Sequence, residues 1–348
     1  MNELLDKFKN KCREKPYVAA VSALVLLLVI LGATLGIMGS NKNFAGSGYK
    51  LITVQQGMTA GEIADLLHSE NLVQHPDVFR MEAQLKGLGK KLQAGTYKIQ
   101  CGASNSEIVS ILVSGEVLHN VFTVPEGYNV VKTAKKLEAE GMGSADKFMA
   151  AARSYAPYAY MQTDNPQVLF KAEGFLFPAT YEIPVDATEE QIVQMMVEQF
   201  DREMQRNGIL QKTQEQGLNL RDVVNLASMV ELEAVYAEEQ PKIAGVFLKR
   251  IAIGMPIQSD TTIQYILGAQ KEVITFKDTE IESPYNTYQN MGLPPGPIGS
   301  PGIKAIKAVL EPETSDYLYF VAEKDGHHHF SKTYDEHLQA INKIHGEE

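Results

Sequence analysis

The chain has 348 residues, 44% of them hydrophobic and 22% charged, a composition that belongs to folded proteins and excludes a disordered one. Its formal net charge of −11 repels phosphate backbones, so no nucleic-acid partner is expected. At roughly 150 residues per domain the length predicts more than one domain.

The first predicted element is apolar. No charged residue stands between Lys15 and Lys42, and this gap contains the run Val25-Leu26-Leu27-Leu28-Val29-Ile30-Leu31. About 20 apolar residues in a helix cross a hydrocarbon core of ~30 Å, so residues 17–38 are expected to form a transmembrane anchor. Lys7, Lys9, Lys11, Arg13 and Lys15 precede it, whereas only Lys42 and Lys50 follow closely. That asymmetry predicts a cytoplasmic tail at 1–16 and places everything after Met38 outside. A cleaved secretory signal is the alternative, with processing around Gly36 to Ser40, but the apolar segment is longer than such signals require. The topology puts Cys12 and Cys101 on opposite sides of the membrane, so no intrachain disulfide is expected and Cys101 reads as a buried thiol.

Residues 39–48 are rich in Gly, Ser and Asn and read as a linker. Lys50 to Val54 then reads as a strand, Gly57 as a turn and Thr59 as the cap of a helix over Ala60 to Glu70. Leu92 to Ile99 is a turn and strand. Ser104 with Glu107 opens a capped helix that runs to Gly115. Thr53-Val54-x-x-Gly57 returns as Thr123-Val124-x-x-Gly127, and Ala64, Leu67 and Glu70 match Ala134, Leu137 and Glu140 in the same register. This predicts a duplicated strand-turn-helix element. A small α/β domain is expected over 49–117 and a larger mixed one over 118–348.

In the larger domain an amphipathic helix is expected over Glu189 to Asn207, with Gly208 closing it. The next helix starts near Asn219. Val223, Val224, Leu226, Ala227, Met229 and Val230 make it apolar almost all round, which marks a core helix. Glu231 ends that run and Glu233 follows. Burying a carboxylate costs several kcal/mol unless it is paired or protonated. A desolvated Glu has a raised pKa, which suits a general acid near neutral pH. Helical periodicity does not choose between the two, and a surface position or a pairing with Lys242, Lys249 or Arg250 is the plainer alternative.

A polar, Gly/Pro-rich series follows: Gln258-Ser259-Asp260, Ser283 to Tyr288, Gly292 to Pro297 and Ser300-Pro301-Gly302. Its prolines stiffen a long loop. Ser300 and Pro301 read as N-cap and first residue of a helix to Leu310. Rigid loops carrying Tyr, Asn, Gln and Asp suit a sugar cleft, while an ordinary turn-rich connection is the alternative. Asp325-Gly326 predicts a hairpin between Tyr317 to Glu323 and His327 to Thr333. Of the three histidines there, only His327 and His329 would share a strand face, and no further cluster has zinc-ligand spacing. With no P-loop, Rossmann fingerprint or nucleophile elbow either, no metal or cofactor is expected.

Leu226-Ala227-Ser228-Met229-Val230-Glu231-Leu232-Glu233 resembles the signature of the endolytic murein transglycosylases, the YceG-like family. Glu173 to Pro178, Gly254 to Asp260, Tyr285-Asn286-Thr287, Gly292 to Gly296 and His328 to Ser331 stand in that family's order. The resemblance covers essentially the whole chain. It implies an α+β protein with one N-terminal transmembrane helix, a LysM-like domain at 49–117 and a catalytic domain at 118–348, outside a bacterial cytoplasmic membrane. It implies a lyase that cuts the MurNAc–GlcNAc bond within nascent peptidoglycan glycan strands, leaves 1,6-anhydroMurNAc ends and terminates elongation near peptidoglycan synthases. It assigns catalysis to Glu231 and the cleft lining to Gln258, Ser259, Asp260, Tyr285, Asn286 and Thr287, with Glu233, Glu173 and His328 in support. One carboxyl group suffices for this chemistry, and no second carboxylate motif is visible, although Asp260 stays open for that role. Thr261 departs from the family, which usually has Pro there. The chain has no Trp, so stacking on sugars falls to Tyr or Phe. Two other readings remain: a non-catalytic peptidoglycan-binding scaffold, and a hydrolytic muramidase using Asp260 or Glu233.

Overall fold

The computed structural model describes residues 17, 20–29, 41, 46–269, 271 and 273–346. The cytoplasmic tail expected at 1–16, with Cys12, lies outside them, as does most of the linker. Of the expected anchor, Tyr17 and residues 20–29 are described, the latter helical with exposed valines and leucines. Among the described residues no helix is long and apolar enough to cross a membrane.

The chain is a mixed α+β protein with small antiparallel sheets, divided into two compact units. The first runs up to His119 and includes Pro184–Asp186. It contains β1 (Tyr49–Val54), α1 (Ala60–Ser69), α2 (Pro76–Leu85), β2 (Gly95–Gln100) and α3 (Asn105–Ser114). Strands β1 and β2 pair antiparallel, Tyr49 opposite Gln100 and Val54 opposite Gly95. Side chains alternate across the pleat, so Ile52 and Val54 enter the core while Leu51 and Thr53 face out. Thr59 and Ser104 cap α1 and α3, and Glu62 and Glu107 reach back to the cap N–H groups. Ile63, Leu67, Phe79, Tyr97, Ile108 and Leu112 fill the centre. Cys101 is only partly buried at the edge of this core, less than the sequence suggests.

The second unit begins with β3 (His119–Thr123), whose first residue belongs to the first unit, followed by α4 (Val130–Ala139), α5 (Ala145–Ser154) and β4 (Thr180–Pro184). Then come α6 (Glu189–Arg206), α7 (Ile209–Glu215), α8 (Leu220–Glu233), α9 (Gln240–Ala252), α10 (Asp260–Leu267), α11 (Phe276–Thr279) and α12 (Ile303–Leu310). The hairpin β5 (Tyr319–Ala322) and β6 (His328–Ser331) and the helix α13 (Tyr334–His345) complete it. Helix α8 is the axis of the unit. Every residue from Leu220 to Val230 is buried except Asp222, as its apolar circumference requires. It packs against α9, α10 and α12. The hairpin forms where expected, with Tyr319 opposite Ser331 and Gly326 at φ +88° in its turn.

The internal repeat is longer than the sequence suggests. Gly57 and Gly127 take φ +88° and +75°, and each turn leads through a capped residue into a ten-residue helix. These helices end at Glu70 and Glu140 in nearly identical conformations, and a left-handed residue follows each, Asn71 and Gly141. A second ten-residue helix then follows in both copies, α2 and α5. Even the cross-strand threonine pairs correspond: Thr53 with Thr96 and Thr123 with Thr180, both at 2.9 Å.

Helix α12 starts later than Ser300 and Pro301 predict, with Gly302 as its cap. The backbone of Ser300 is already committed. Its carbonyl accepts from the N–H of Gly127 at 2.8 Å, and its N–H donates to the carbonyl of Tyr128 at 2.8 Å. That extended pairing holds Ser300 out of the helix.

Gly245 in this unit is required by a close approach. A Cβ on Gly245, inside α9, would stand 2.3 Å from the carbonyl oxygen of Glu313, which is itself fixed by its N–H bond to Pro241 O at 2.9 Å. Alanine normally gains about 1 kcal/mol over glycine inside a helix. Gly245→Ala is expected to do the opposite and lower stability by roughly 1–3 kcal/mol, because backbone must move. Thermal unfolding followed by circular dichroism measures it, and a higher Tm would contradict the contact.

Candidate active site

Both candidate acids lie in the last turn of α8, where the unpaired carbonyls and the negative end of the helix dipole disfavour an ionised carboxylate. Successive side chains on a helix diverge by about 100° each, so the two residues meet different surroundings.

Glu231 is half-buried and faces the start of α12. Its Oε2 accepts the Gly302 N–H at 3.0 Å. The Glu126-Gly127 turn packs over it: a Cβ on Gly127 would lie 3.9 Å from Glu231 Cγ and 3.0 Å from Leu232 Cδ2. Burial raises the Glu231 carboxyl above the ordinary range, and the charge of Glu126 adds to this. The Gly302 N–H and the Lys304 ammonium pull the other way without cancelling it. The result is a carboxyl group poised to carry a proton nearer neutrality than a free glutamate would.

Glu233 is also raised by burial, but its neighbours differ. Ser259 Oγ donates to it, Asp260 adds like charge, and His328 and Arg250 oppose the shift. Ser259 Oγ is 2.6 Å from Thr261 Oγ1. Thr261, the departure from the family pattern, thus stands in this network and also borders a cavity together with Gly127 and Leu232.

The loop residues divide by exposure. Gln258 and Asp260 are exposed, Gln258 with the unusual φ of +52°, while Tyr288 donates its hydroxyl to Asp260. Ser259, Tyr285, Asn286 and Thr287 are buried. The Asn286 amide donates to the carbonyls of Thr279 at 3.0 Å and Ile281 at 2.8 Å, and its oxygen accepts the Tyr288 N–H at 2.9 Å. Thr287 ties the two loops together: its carbonyl accepts from Gln258 N at 3.0 Å and its hydroxyl accepts from Ser259 N at 3.1 Å. Tyr285 packs on Tyr265 with ring centroids 5.1 Å apart. The polar atoms of Asn286 and the backbone of Thr287 are spent on holding the loop that presents Gln258 and Asp260.

Glu173 sits 2% exposed beneath the site, where the Val130 N–H at the start of α4 donates to its Oε1 at 3.0 Å and the Tyr265 hydroxyl to its Oε2 at 3.2 Å. Burial pushes its carboxyl up to about 8 against these bonds. It anchors the helix that follows the Glu126-Gly127 turn. His328 has its Nδ1 2.7 Å from Glu239 Oε2, and His327 meets the same carboxylate at 3.2 Å.

Three features here escape the sequence reading. Asn225 and Ser228 interrupt the apolar α8, and both fasten the proline-rich loop to it: Asn225 Nδ2 donates to Pro294 O at 2.7 Å, and Ser228 Oγ accepts the Ile298 N–H at 3.0 Å. Their spacing of three on a core helix is a signal that could have been read. Glu126 is the third. Its counterpart in the first copy of the repeat is Gln56, so the two copies differ in charge beside the glycine they share. Next to this turn, Gly127, Asn129, Lys132, Leu232, Gln264 and Tyr265 border a cavity of about 130 Å³.

The sequence matches the model of the YceG-like family over residues 52–343. An endolytic murein transglycosylase of Bacillus subtilis is 31% identical over 311 residues, covering 84% of this chain and 84% of that protein. An endolytic murein transglycosylase of Streptococcus pneumoniae is 30% identical over 317 residues, covering 83% of this chain and 57% of that longer protein. A crystal structure of a yceG-like protein from Listeria monocytogenes superposes with a TM-score of 0.60 at 30% identity, covering 85% of this chain and all of that one.

Proposed function

The chain belongs to the YceG-like family, and from that membership we propose that it is an endolytic lytic transglycosylase of peptidoglycan with Glu231 as its acid/base. The observation that carries the assignment is the seat of Glu231: the end of a core helix, one oxygen held by the Gly302 N–H, the carboxyl raised by burial. In the first step protonated Glu231 gives its proton to the glycosidic oxygen as the bond from that oxygen to C1 of MurNAc breaks. In the second the Glu231 carboxylate takes the proton of the MurNAc 6-hydroxyl as that oxygen bonds to C1. The product is a 1,6-anhydroMurNAc end, and Glu231 returns to its starting state. The substrate's own N-acetyl group can stabilise the cationic C1 between the steps. Gln258 and Asp260, exposed on a fixed loop, are the groups placed to hydrogen-bond sugar hydroxyls. Incubating the protein with purified, uncross-linked glycan strands tests this reading. Internal cuts should shorten the strands at every starting length; a scaffold would bind them and leave their lengths unchanged.

One observation favours hydrolysis as a second reading. Glu126 is an exposed carboxylate on the far side of Gly302, and glycosidases that invert use a second carboxylate to activate water.

We further propose that residues 17–38 anchor the protein in the bacterial cytoplasmic membrane, with residues 1–16 inside, a LysM-like module at 49–117 and the catalytic part at 118–348 outside. The charge asymmetry around the apolar segment supports this topology. The short linker would hold the cleft near the bilayer, where this enzyme would release nascent strands beside peptidoglycan synthases. A periplasm-active reporter such as alkaline phosphatase fused after Glu348 is expected to be active; activity only from a cytoplasm-dependent reporter would reverse the orientation.

A further inference from the structure

Gly302 is shared by two carboxylates. Its N–H is bound to Glu231 Oε2 at 3.0 Å, while on its Cα side a Cβ would fall 1.9 Å from Glu126 Oε1 and 2.5 Å from Glu126 Cδ. The two carboxyl groups therefore lie within about 7–8 Å of each other across this one glycine. No side chain larger than glycine's leaves room for this without moving Glu126. The turn carrying Glu126 is fixed: the Gly127 and Tyr128 backbone pairs with Ser300, and Gly127 packs on Glu231 and Leu232. Glu126 itself is exposed, and among the described residues its carboxylate has no hydrogen-bond or ion-pair partner. In the first copy of the repeat the same position is Gln56, beside a glycine that has nothing within 4 Å. The carboxylate occurs in the copy whose turn closes over Glu231.

We propose that Glu126 is a positioning residue for the reaction: its carboxylate, across Gly302 from Glu231, keeps the proton on Glu231 until the glycosidic oxygen takes it. The proposal rests on the reading of Glu231 as the acid. A second negative charge within about 7–8 Å opposes ionisation of the first. Among the described residues, the charged groups facing Glu231 are Glu126 from the β3–α4 turn and Lys304 from α12, and they act in opposite directions. Burial already favours the protonated form, and Glu126 extends its range to higher pH.

The sign of the test follows. Cleavage requires protonated Glu231, so kcat/KM falls as pH rises through its pKa. Removing the negative neighbour lowers that pKa, and the alkaline limb moves to lower pH. For charges this far apart and partly in solvent, the shift is about half to one pH unit, or roughly 3- to 10-fold in rate on that limb, with the acid plateau unchanged. The experiment measures kcat/KM against pH for wild type, Glu126→Gln and Glu126→Asp. Alongside it, a 13C-carboxyl NMR titration follows Glu231, assigned by its loss in Glu231→Gln. The expected result is a lower NMR midpoint and a lower alkaline limb in Glu126→Gln, with both close to wild type in Glu126→Asp, which keeps the charge. An unmoved midpoint in Glu126→Gln overturns the proposal, as does activity lost equally at every pH, the outcome for a water-activating base. A midpoint that moves while the rate profile stays fixed overturns it differently: the coupling is then real, but Glu231 is not the acid.

Discussion

Replacing Glu231 by Gln is expected to leave the protein folded and to lower strand cleavage by roughly 10²- to 10⁴-fold or more. Gln is nearly isosteric, and its carbonyl oxygen can still accept the Gly302 N–H that Glu231 Oε2 accepts at 3.0 Å. Packing at the end of α8 should therefore survive, and circular dichroism should show an unchanged Tm to within a few degrees. What is lost is the proton that must go to the leaving oxygen and be recovered from the 6-hydroxyl. Glu233→Gln is the matched control. Glu233 lies two residues away with the same raised carboxyl, but it faces Ser259, Asp260, His328 and Arg250 rather than the Gly302 cradle. Its replacement keeps an acceptor for Ser259 and should be milder in rate. Anhydro-ended product measured for both variants decides the matter. A dead Glu233 variant beside an active Glu231 variant would reverse the assignment, and two active variants would move attention to Asp260 or Glu173.

The second large effect concerns stability and its pH dependence. Glu173 is 2% exposed, and its carboxyl is pushed up to about 8 by burial. The α4 N-terminus and the Val130 N–H favour the ionised form, but desolvation outweighs them. In the unfolded chain the same group ionises near 4.5. Between those two values the folded state binds more protons than the unfolded state, so its stability falls as pH rises. The cost begins near pH 4.5, grows to about pH 8 and then levels off, reaching on the order of a few kcal/mol. Glu173→Gln removes the titration while leaving an acceptor for the Val130 N–H. The variant should match wild type near pH 4.5 and become progressively more stable than wild type up to pH 8.5. Urea unfolding at several pH values gives the difference directly, with other titrating groups cancelling. A variant that loses stability as pH rises would mean that Glu173 is ionised in the fold and that its bonds to Val130 and Tyr265 outweigh burial.

Much of this was legible in the sequence because local chemistry agreed with the fold. Thr59 with Glu62 and Ser104 with Glu107 are reciprocal caps that need no tertiary context, and both helices begin where they predict. The largely apolar surface of α8 marked it as the central helix, and Asp325-Gly326 marked the hairpin. The repeat was visible through a constant register, but its second helix was not: the register slips by one residue there, so that Asp77, Phe79 and Ala83 of α2 answer Asp146, Phe148 and Ala152 of α5. Local rules failed where a tertiary bond replaced a local one. Ser300-Pro301 has the form of a helix start, yet pairing with Gly127 and Tyr128 delays the helix to Ile303. Polar residues in a Gly/Pro-rich loop read as ligand contacts, but Asn286 spends its side chain inside the loop, and only burial distinguishes it from Gln258 or Asp260. Glu126 carried no motif of its own. Its meaning comes from Gly302, which lies far along the chain and close in space.

The central claim is that the oxygen closing on C1 comes from the sugar itself and not from water. Digesting glycan strands in H2 18O and weighing the new ends by mass spectrometry tests it most directly. Transglycosylation by Glu231 predicts ends lighter by one water than reducing ends and free of 18O, and predicts that Glu231→Gln forms almost none. Reducing ends that carry 18O would show that water attacks C1, and would make the protein a muramidase.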